Sequence, residues 1–402
     1  MTRTQHEGLP RAILIASLMA YPLLGTLVSV TLLPSLVASV PVRAFVAVAS
    51  IQLIWLTRRA PPSPTVLALL VFWCAYLVRL LWDWAVADVP AAGEALAFFV
   101  LTCLLPAVAL MRVPAAWWNE SRLANGLFIT GAATCIAAVA IGLTGLAEGR
   151  SLLDETARLS FDTVNPITYG HVAVSTLIVA LRWRLISRRH GRLVLAIGLI
   201  AALVVLQLAA SRGPLVALAV CLVALGIVQR RFRWFFIVVA PLLTLLFFNA
   251  DSILEQRFSD IEDDPSTLER LLVQSNAIAQ FLDNPWLGSA FIELELQIYP
   301  HNPFIEAAMA TGVIGLLLFT WVFLAACARV VRMLREGKVV LPLLALQYFV
   351  AAQFSGSLFS SNTMWMFIGI LFAITRRRRR QSSGQEHRPV VPRRPVSPLP
   401  AG

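Results

Sequence analysis

From Ala12 to Thr375 the chain is a succession of apolar runs, most of them close to the ~20 residues that span a bilayer's hydrocarbon core. Backbone N–H and C=O groups in hydrocarbon have no water to bond, so runs of this kind form helices whose hydrogen bonds close within the segment. Twelve spans are expected, at 12–30, 40–57, 65–83, 94–111, 123–146, 166–186, 193–210, 213–229, 233–249, 303–328, 339–357 and 361–375. Internal prolines (Pro22, Pro106, Pro241 and Pro342) predict kinks within them. Charge is sparse to match: 14% of the 402 residues are charged and 58% hydrophobic, where soluble domains carry about 25% charged residues. A soluble enzyme, a nucleic-acid binder and a secreted disulfide scaffold are thereby excluded. The first run lacks a small-residue cleavage site and is expected to be a retained helix. No fixed-period repeat or inverted pair of segments is visible.

Net charge is +11, yet 32 of the 33 basic residues are Arg, a bias of composition more than a signature of phosphate binding. Their distribution is informative. With the N-terminus inside and the spans alternating, the inner segments hold 26 basic residues against four acids, and the outer side holds seven Arg against 18 acids. That asymmetry is the positive-inside pattern and predicts cytoplasmic termini. The domain runs over 1–375, and the basic, Pro-rich stretch 376–402 is expected to be a disordered cytoplasmic tail at an anionic leaflet. Outer loops are long at about 147–165 and about 250–302. In the second, Leu268, Leu271, Leu272, Ala279 and Leu282 have helical spacing and predict an amphipathic helix. The five Cys sit singly inside apolar runs and read as small core residues.

The outer cations run against the bias, and an Arg within a span is costly without a partner. Arg212, in the short turn Ser211-Arg212-Gly213-Pro214, either snorkels to lipid phosphates or points into the bundle. Arg270 has acids nearby (Glu262, Asp263, Asp264, Glu269), so surface pairing competes with a functional role. Arg158 precedes the re-entry point Asn165-Pro166; Arg79 is expected to pair with Asp83; Arg43, Arg150 and Arg257 carry little signal. His301 stands directly before Asn302, a good helix N-cap, and Pro303, suited to the first helical position. A helix N-terminus favours an anion nearby, and surrounding positive charge keeps a histidine neutral, as a general base requires. His171, one turn inside the sixth span, reads as a structural hydrogen-bonder. The acidic run Asp260–Asp264 reads as a solvated loop, and Gly312-Val313-Ile314-Gly315 as close helix packing. No phosphate-binding G-x-x-x-x-G-K-[ST] loop, H-E-x-x-H or G-x-S-x-G motif is present.

Four motifs follow one another in order. They are Val164-Asn165-Pro166-Ile167-Thr168-Tyr169-Gly170, then Ser211-Arg212-Gly213-Pro214, then Glu269-Arg270 running to Asp283-Asn284-Pro285-Trp286-Leu287-Gly288. The last is His301-Asn302-Pro303-Phe304-Ile305-Glu306 followed by Thr311-Gly312-Val313-Ile314-Gly315. In this order and spacing, over roughly 160–320, the chain resembles the O-antigen ligase and polymerase superfamily of bacterial envelope glycosyltransferases.

The resemblance implies an all-α polytopic membrane protein of the glycosyltransferase C type in the bacterial inner membrane, with its site on the periplasmic face. Its donor would be a glycan on undecaprenyl pyrophosphate and its acceptor a sugar hydroxyl of lipid A–core, used without metal or cofactor. Bilayer lipids would be its surroundings, and nucleic acid no partner. Carried over to this chain, His301 would be the base, and Arg212 and Arg270 would hold the pyrophosphate. Arg158, Asn165, Ser211 and Asn302 would be further substrate contacts. Charge-assisted Arg contacts suffice to hold and neutralise a pyrophosphate leaving group. The modest loop favours a ligase over a polymerase that joins lipid-linked repeats. A lipid-linked oligosaccharide transporter is the competing class, and it would spread its cations through the bundle interior.

Overall fold

The computed structural model describes residues 7–29, 36–57, 61–147, 159, 164–182, 189–229 and 265–385. The expected span at 233–249, Arg150, Arg158, Arg257 and the acidic run Asp260–Asp264 lie outside them. The described residues form α1 (Leu9–Val28), α2 (Leu36–Leu56), α3 (Pro64–Ala85), α4 (Ala92–Met111), α5 (Glu120–Ala147) and α6 (Pro166–Ala180). They continue with α7 (Arg189–Ala209), α8 (Arg212–Val228), α9 (Pro265–Asp283), α10 (Pro303–Arg335), α11 (Val340–Ser355) and α12 (Asn362–Gln385). No β-strand occurs among them.

Seven of these helices contain a stretch long and apolar enough to cross a membrane, and α6, α8, α11 and the segment Asn362–Ile374 are shorter apolar helices. Large apolar side chains such as Val48, Trp55, Ile200, Ile227 and Leu317 point outward. Outward apolar faces of this extent suit lipid, not water, as solvent. The chain is an all-helical, polytopic membrane protein. Helix α9 is amphipathic, as its spacing predicts. Helix α12 continues past Thr375 to Gln385, so residues 376–385 are helical where a disordered tail is expected.

Pro22 and Pro106 are accommodated within their helices by a specific device, whereas Pro342 falls in the first turn of α11 and Pro241 lies outside the described residues. A π-helical turn at Ala16–Ala20 lies just upstream of Pro22, and another at Phe99–Leu104 just upstream of Pro106. A proline ring clashes with the carbonyl four residues back, and a π turn there opens the ladder without ending the helix.

Packing brings α10 against α3, α12 against α4, α11 against α8, and α7 against α5 and α6. Where α3, α4, α10 and α12 meet, Phe72, Tyr76, Phe99, Phe319 and Trp365 form an aromatic core with ring centroids 5.1–6.4 Å apart. Those spacings fall in the favourable stacked and edge-to-face range.

Helix α10 is broken near its N-terminal end. Gly312 has φ 67° and ψ −169°, non-helical values within an otherwise helical segment. A Cβ there would lie 2.1 Å from the Trp286 carbonyl oxygen. The glycine therefore serves approach by the loop after α9, and the expectation of close helix packing at this position is corrected. A break leaves helix groups to be satisfied from elsewhere. The Ser289 amide donates to the Met309 carbonyl (2.9 Å) and the Val313 amide to the Pro285 carbonyl (2.8 Å). Arg79 completes the join: its Nε donates to Ala310 O at 2.9 Å and its Nη1 to Ser289 O at 2.7 Å. Its Nη2 donates to Leu287 O and Gly288 O, each at 3.1 Å. The expected Arg79–Asp83 pair is present at 3.5 Å, and the buried Asp83 also accepts the Phe291 amide at 2.9 Å. The segment leading to residue 301 is thus fixed by two charged residues of α3.

Candidate functional site

At the end of that segment, local chemistry fixes residues 299–305. Asn302 caps α10, its Oδ1 accepting from the Phe304 amide (2.9 Å) and the Ile305 amide (3.3 Å), with Pro303 at the first helical position. Asparagine side chains compete well for these orphan donors. His301 takes a left-handed backbone conformation, φ 54°, uncommon for a residue with a Cβ and a form of strain found at functional sites. Its ring lies against Tyr299, with centroids 4.4 Å apart.

Helix α11 supplies the anchor. Its last carbonyls lack intrahelical partners, as at any helix C-terminus, and they carry the negative end of the helix dipole. Asn302 Nδ2 donates to Gln353 O at 3.5 Å, and Arg270 Nη1 donates to Phe354 O at 3.1 Å. Ser355, the last residue of α11, lines the same cavity as His301. Two consecutive carbonyls of one helix end therefore hold two polar side chains from two other elements.

Arg270 and His301 line one cavity of about 360 Å³, together with Asn165, His171, Tyr299 and Tyr348. Asn165 sits at its rim as the N-cap of α6, its Oδ1 accepting from the Thr168 amide (2.8 Å) and hydroxyl (2.9 Å). Arg212 is not in the lining. It opens α8, and its Nη1 donates to Thr267 Oγ1 at 3.2 Å. Thr267 and Arg270 are three residues apart on α9 and so share a face. Arg212 is thereby tied to the helix turn that carries Arg270. Ser211, the N-cap residue of α8, is buried and makes no side-chain cap.

The electrostatics bear on His301. Burial, first, and the Arg270 charge, second, push its pKa below the ordinary histidine range. Glu269 and the Ser355 backbone pull the other way. Positive charge alone is the sequence-based expectation; the larger cause is desolvation, which penalises the protonated ring. Among the described residues Nδ1 of His301 is buried without a hydrogen-bond partner. A neutral imidazole in this cavity has a nitrogen free to accept a proton, beside a guanidinium able to hold an anion. No cluster of three His, Cys, Asp or Glu side chains with metal-holding geometry occurs among the described residues.

Several cavity residues carry no signal of their role in the sequence. Tyr299, Tyr348 and the turn after α11, including Ser360, line the cavity. The run Ser355-Gly356-Ser357 to Ser360-Ser361-Asn362 is visible as a loop signal between apolar runs, but nothing in it specifies chemistry. Glu306 belongs to the last of the four motifs and is fully buried. It accepts from the Tyr76 hydroxyl (2.5 Å) and the Leu358 amide (2.8 Å), and so holds the turn that forms one wall. His171, expected to be a satisfied hydrogen-bonder, has neither ring nitrogen partnered among the described residues.

Residues 197–320, about a third of the chain, match the family model described as O-antigen ligase. The chain carries an O-antigen ligase family domain. The matched segment takes in most of α7, all of α8 and α9, and the first half of α10, and so contains Arg212, Arg270 and His301. The match supports membership of the O-antigen ligase and polymerase superfamily. A comparison with curated proteins gives no match.

Proposed function

We propose that this O-antigen ligase family member transfers a glycan from a polyprenyl pyrophosphate to a sugar hydroxyl of lipid A–core at the periplasmic face of the inner membrane. The observation that carries the reading is the meeting of His301 and Arg270 in one cavity beside the end of α11, which holds Arg270.

In this account the pyrophosphate is already an activated leaving group. Arg270, with Arg212 tied to the same helix turn, grips it and neutralises the charge that develops as the bond to the anomeric carbon breaks. Arg158 adds a further phosphate contact. His301 takes the proton from the acceptor hydroxyl as its oxygen attacks, and direct displacement inverts the anomeric centre. A lowered pKa keeps the imidazole neutral at physiological pH, which is the state a base needs. The positive-inside pattern supports twelve spans, cytoplasmic termini and a periplasmic cavity.

The envelope glycan of a deletion strain tests the reading at the level of substrate. Core without O-chains, with polymer accumulating on the polyprenyl carrier, is the expected outcome. Core bearing a single repeat assigns the chain to the polymerases instead.

A further inference from the structure

Beyond the cavity of His301 lies a second chamber of about 270 Å³. Thr168, His171, Tyr348, Ser360 and Thr363 line both, so one layer of side chains separates them. Arg43 of α2 lines only the second, with its guanidinium 4.9 Å from the ring centroid of Phe98 on α4.

One side chain here is unexplained by the fold, and a second, the exposed Arg43, has a ring contact on Phe98. His171 is 8% exposed, lines both chambers, and among the described residues neither of its ring nitrogens has a partner. Leaving a buried donor and acceptor unpaired is costly. The neighbouring hydroxyls are already engaged: Thr168 donates to Asn165 Oδ1, Thr102 to Phe98 O, and Tyr348 pairs with Ser175. Arg43 brings five donors and no acceptor to a membrane-spanning helix, and its stacking on Phe98 orients the planar fork. A ligand matching this set must be rich in acceptors and must also offer something to an imidazole. A phosphate group carried beside hydroxyls meets both demands.

We propose that the second chamber is a phosphate site for a lipid head group, with Arg43 as the gripping cation and His171 as its hydrogen-bonding partner. The assignment of that lipid as the acceptor rests on the glycan-transfer reading above; the binding itself does not. In that frame the donor's pyrophosphate occupies the Arg270 cavity and a phosphorylated second substrate occupies the chamber next to it, with His171 between.

The test is a binding titration on the detergent-purified full chain, with dihexanoyl phosphatidic acid, its phosphatidylcholine counterpart and inorganic phosphate as probes. Saturable binding of the phosphatidic acid is expected, with weaker binding of the other two. Arg43→Gln should weaken it about tenfold, the equivalent of about 1.4 kcal/mol. His171→Phe should weaken it as well, and His171→Gln, which keeps a donor and an acceptor, should restore part of the loss. Arg270→Gln should leave it unchanged. Melting curves exclude variants that fail to fold, and either Arg43→Gln or the His171 pair suffices. Equal affinity in wild type, Arg43→Gln and His171→Phe overturns the proposal, as does loss of binding in Arg270→Gln, which would put the anion in the outer cavity. Inorganic phosphate binding as tightly as the lipid, and as sensitive to Arg43→Gln, overturns the lipid assignment in favour of a free anion. Arg43-dependent binding in a protein that transfers no glycan leaves this site standing and removes the functional reading instead.

Discussion

Arg270 and His301 meet at the end of α11, the guanidinium donating to the Phe354 carbonyl at 3.1 Å and the imidazole sharing a cavity wall with Ser355. Thirty residues of sequence separate the two side chains, and a single helix terminus brings them to one cavity. Unsatisfied carbonyls at a helix end are ready acceptors for such donors, and the dipole favours the cation.

This coupling gives the pH profile a direction. The pKa of His301 lies below the ordinary histidine range, with burial first and Arg270 second as causes. A base is active when deprotonated, so kcat/KM should fall only as pH drops through that lowered value, below the ordinary ~6.5. Removing the Arg270 charge in Arg270→Gln should raise the pKa and move the acid limb upward. Glu269 acts in the opposite sense, so Glu269→Gln should move the limb further down. Limbs that stay fixed in both variants would show that the profile reports another group.

Gly312 gives a stability prediction. Gly312→Ala places a Cβ 2.1 Å from the Trp286 carbonyl oxygen in a left-handed conformation, and should destabilise the protein well beyond the ~1 kcal/mol typical of point substitutions. Gly142→Ala is the control. It lies in α5 with nothing within 4 Å of the added Cβ, and helix propensity favours alanine there by up to ~1 kcal/mol. Thermal melts of the two variants should move in opposite directions or differ sharply.

Glu306 offers a third. Glu306→Ala leaves the Tyr76 hydroxyl and the Leu358 amide buried and unpaired, a loss of about 1–3 kcal/mol for each such group. Glu306→Gln keeps an acceptor and should cost less. Because the Leu358 turn forms a wall of the cavity, the alanine variant should also raise KM for substrate, measured on protein shown to be folded. A melt unchanged in Glu306→Ala would remove this role.

Much of the fold is legible in the sequence because apolar run length and capping chemistry are local. Eleven of the twelve expected spans correspond to apolar helices, and the twelfth lies outside the described residues. Asn302 with Pro303 marks a capped helix start, and the spacing of Leu268, Leu271 and Leu272 marks an amphipathic helix, each within a few residues of sequence. Four carbonyl contacts of Arg79, the break at Gly312 and the wall held by Glu306 are not legible in this way. Each depends on residues about 50 to 230 positions apart or on a backbone angle that no residue pattern encodes. Gly312 in particular carries the same short motif that marks close helix packing, and only the approach of Trp286 distinguishes the two uses. His171 departs from expectation for a related reason, since a polar residue on an apolar helix is ordinarily satisfied by neighbours that sequence cannot show to be missing.

Arg212 and Arg270 should separate from His301 in their kinetic effects. Arg212→Ala or Arg270→Ala should weaken donor binding and transfer together, because each removes a charged contact to the pyrophosphate. Lysine at either position should rescue only in part, since an ammonium lacks the planar fork that grips two phosphate oxygens. Full rescue by lysine would reduce these residues to general positive charge.

The central claim is that His301 is the base, and the direct measurement is single-turnover glycan transfer by purified His301→Ala beside its affinity for the lipid-linked donor. The account predicts a rate lower by roughly 10²–10⁴-fold with donor affinity largely kept, because the arginine contacts remain. A well-folded His301→Ala protein that transfers glycan at the wild-type rate would contradict it.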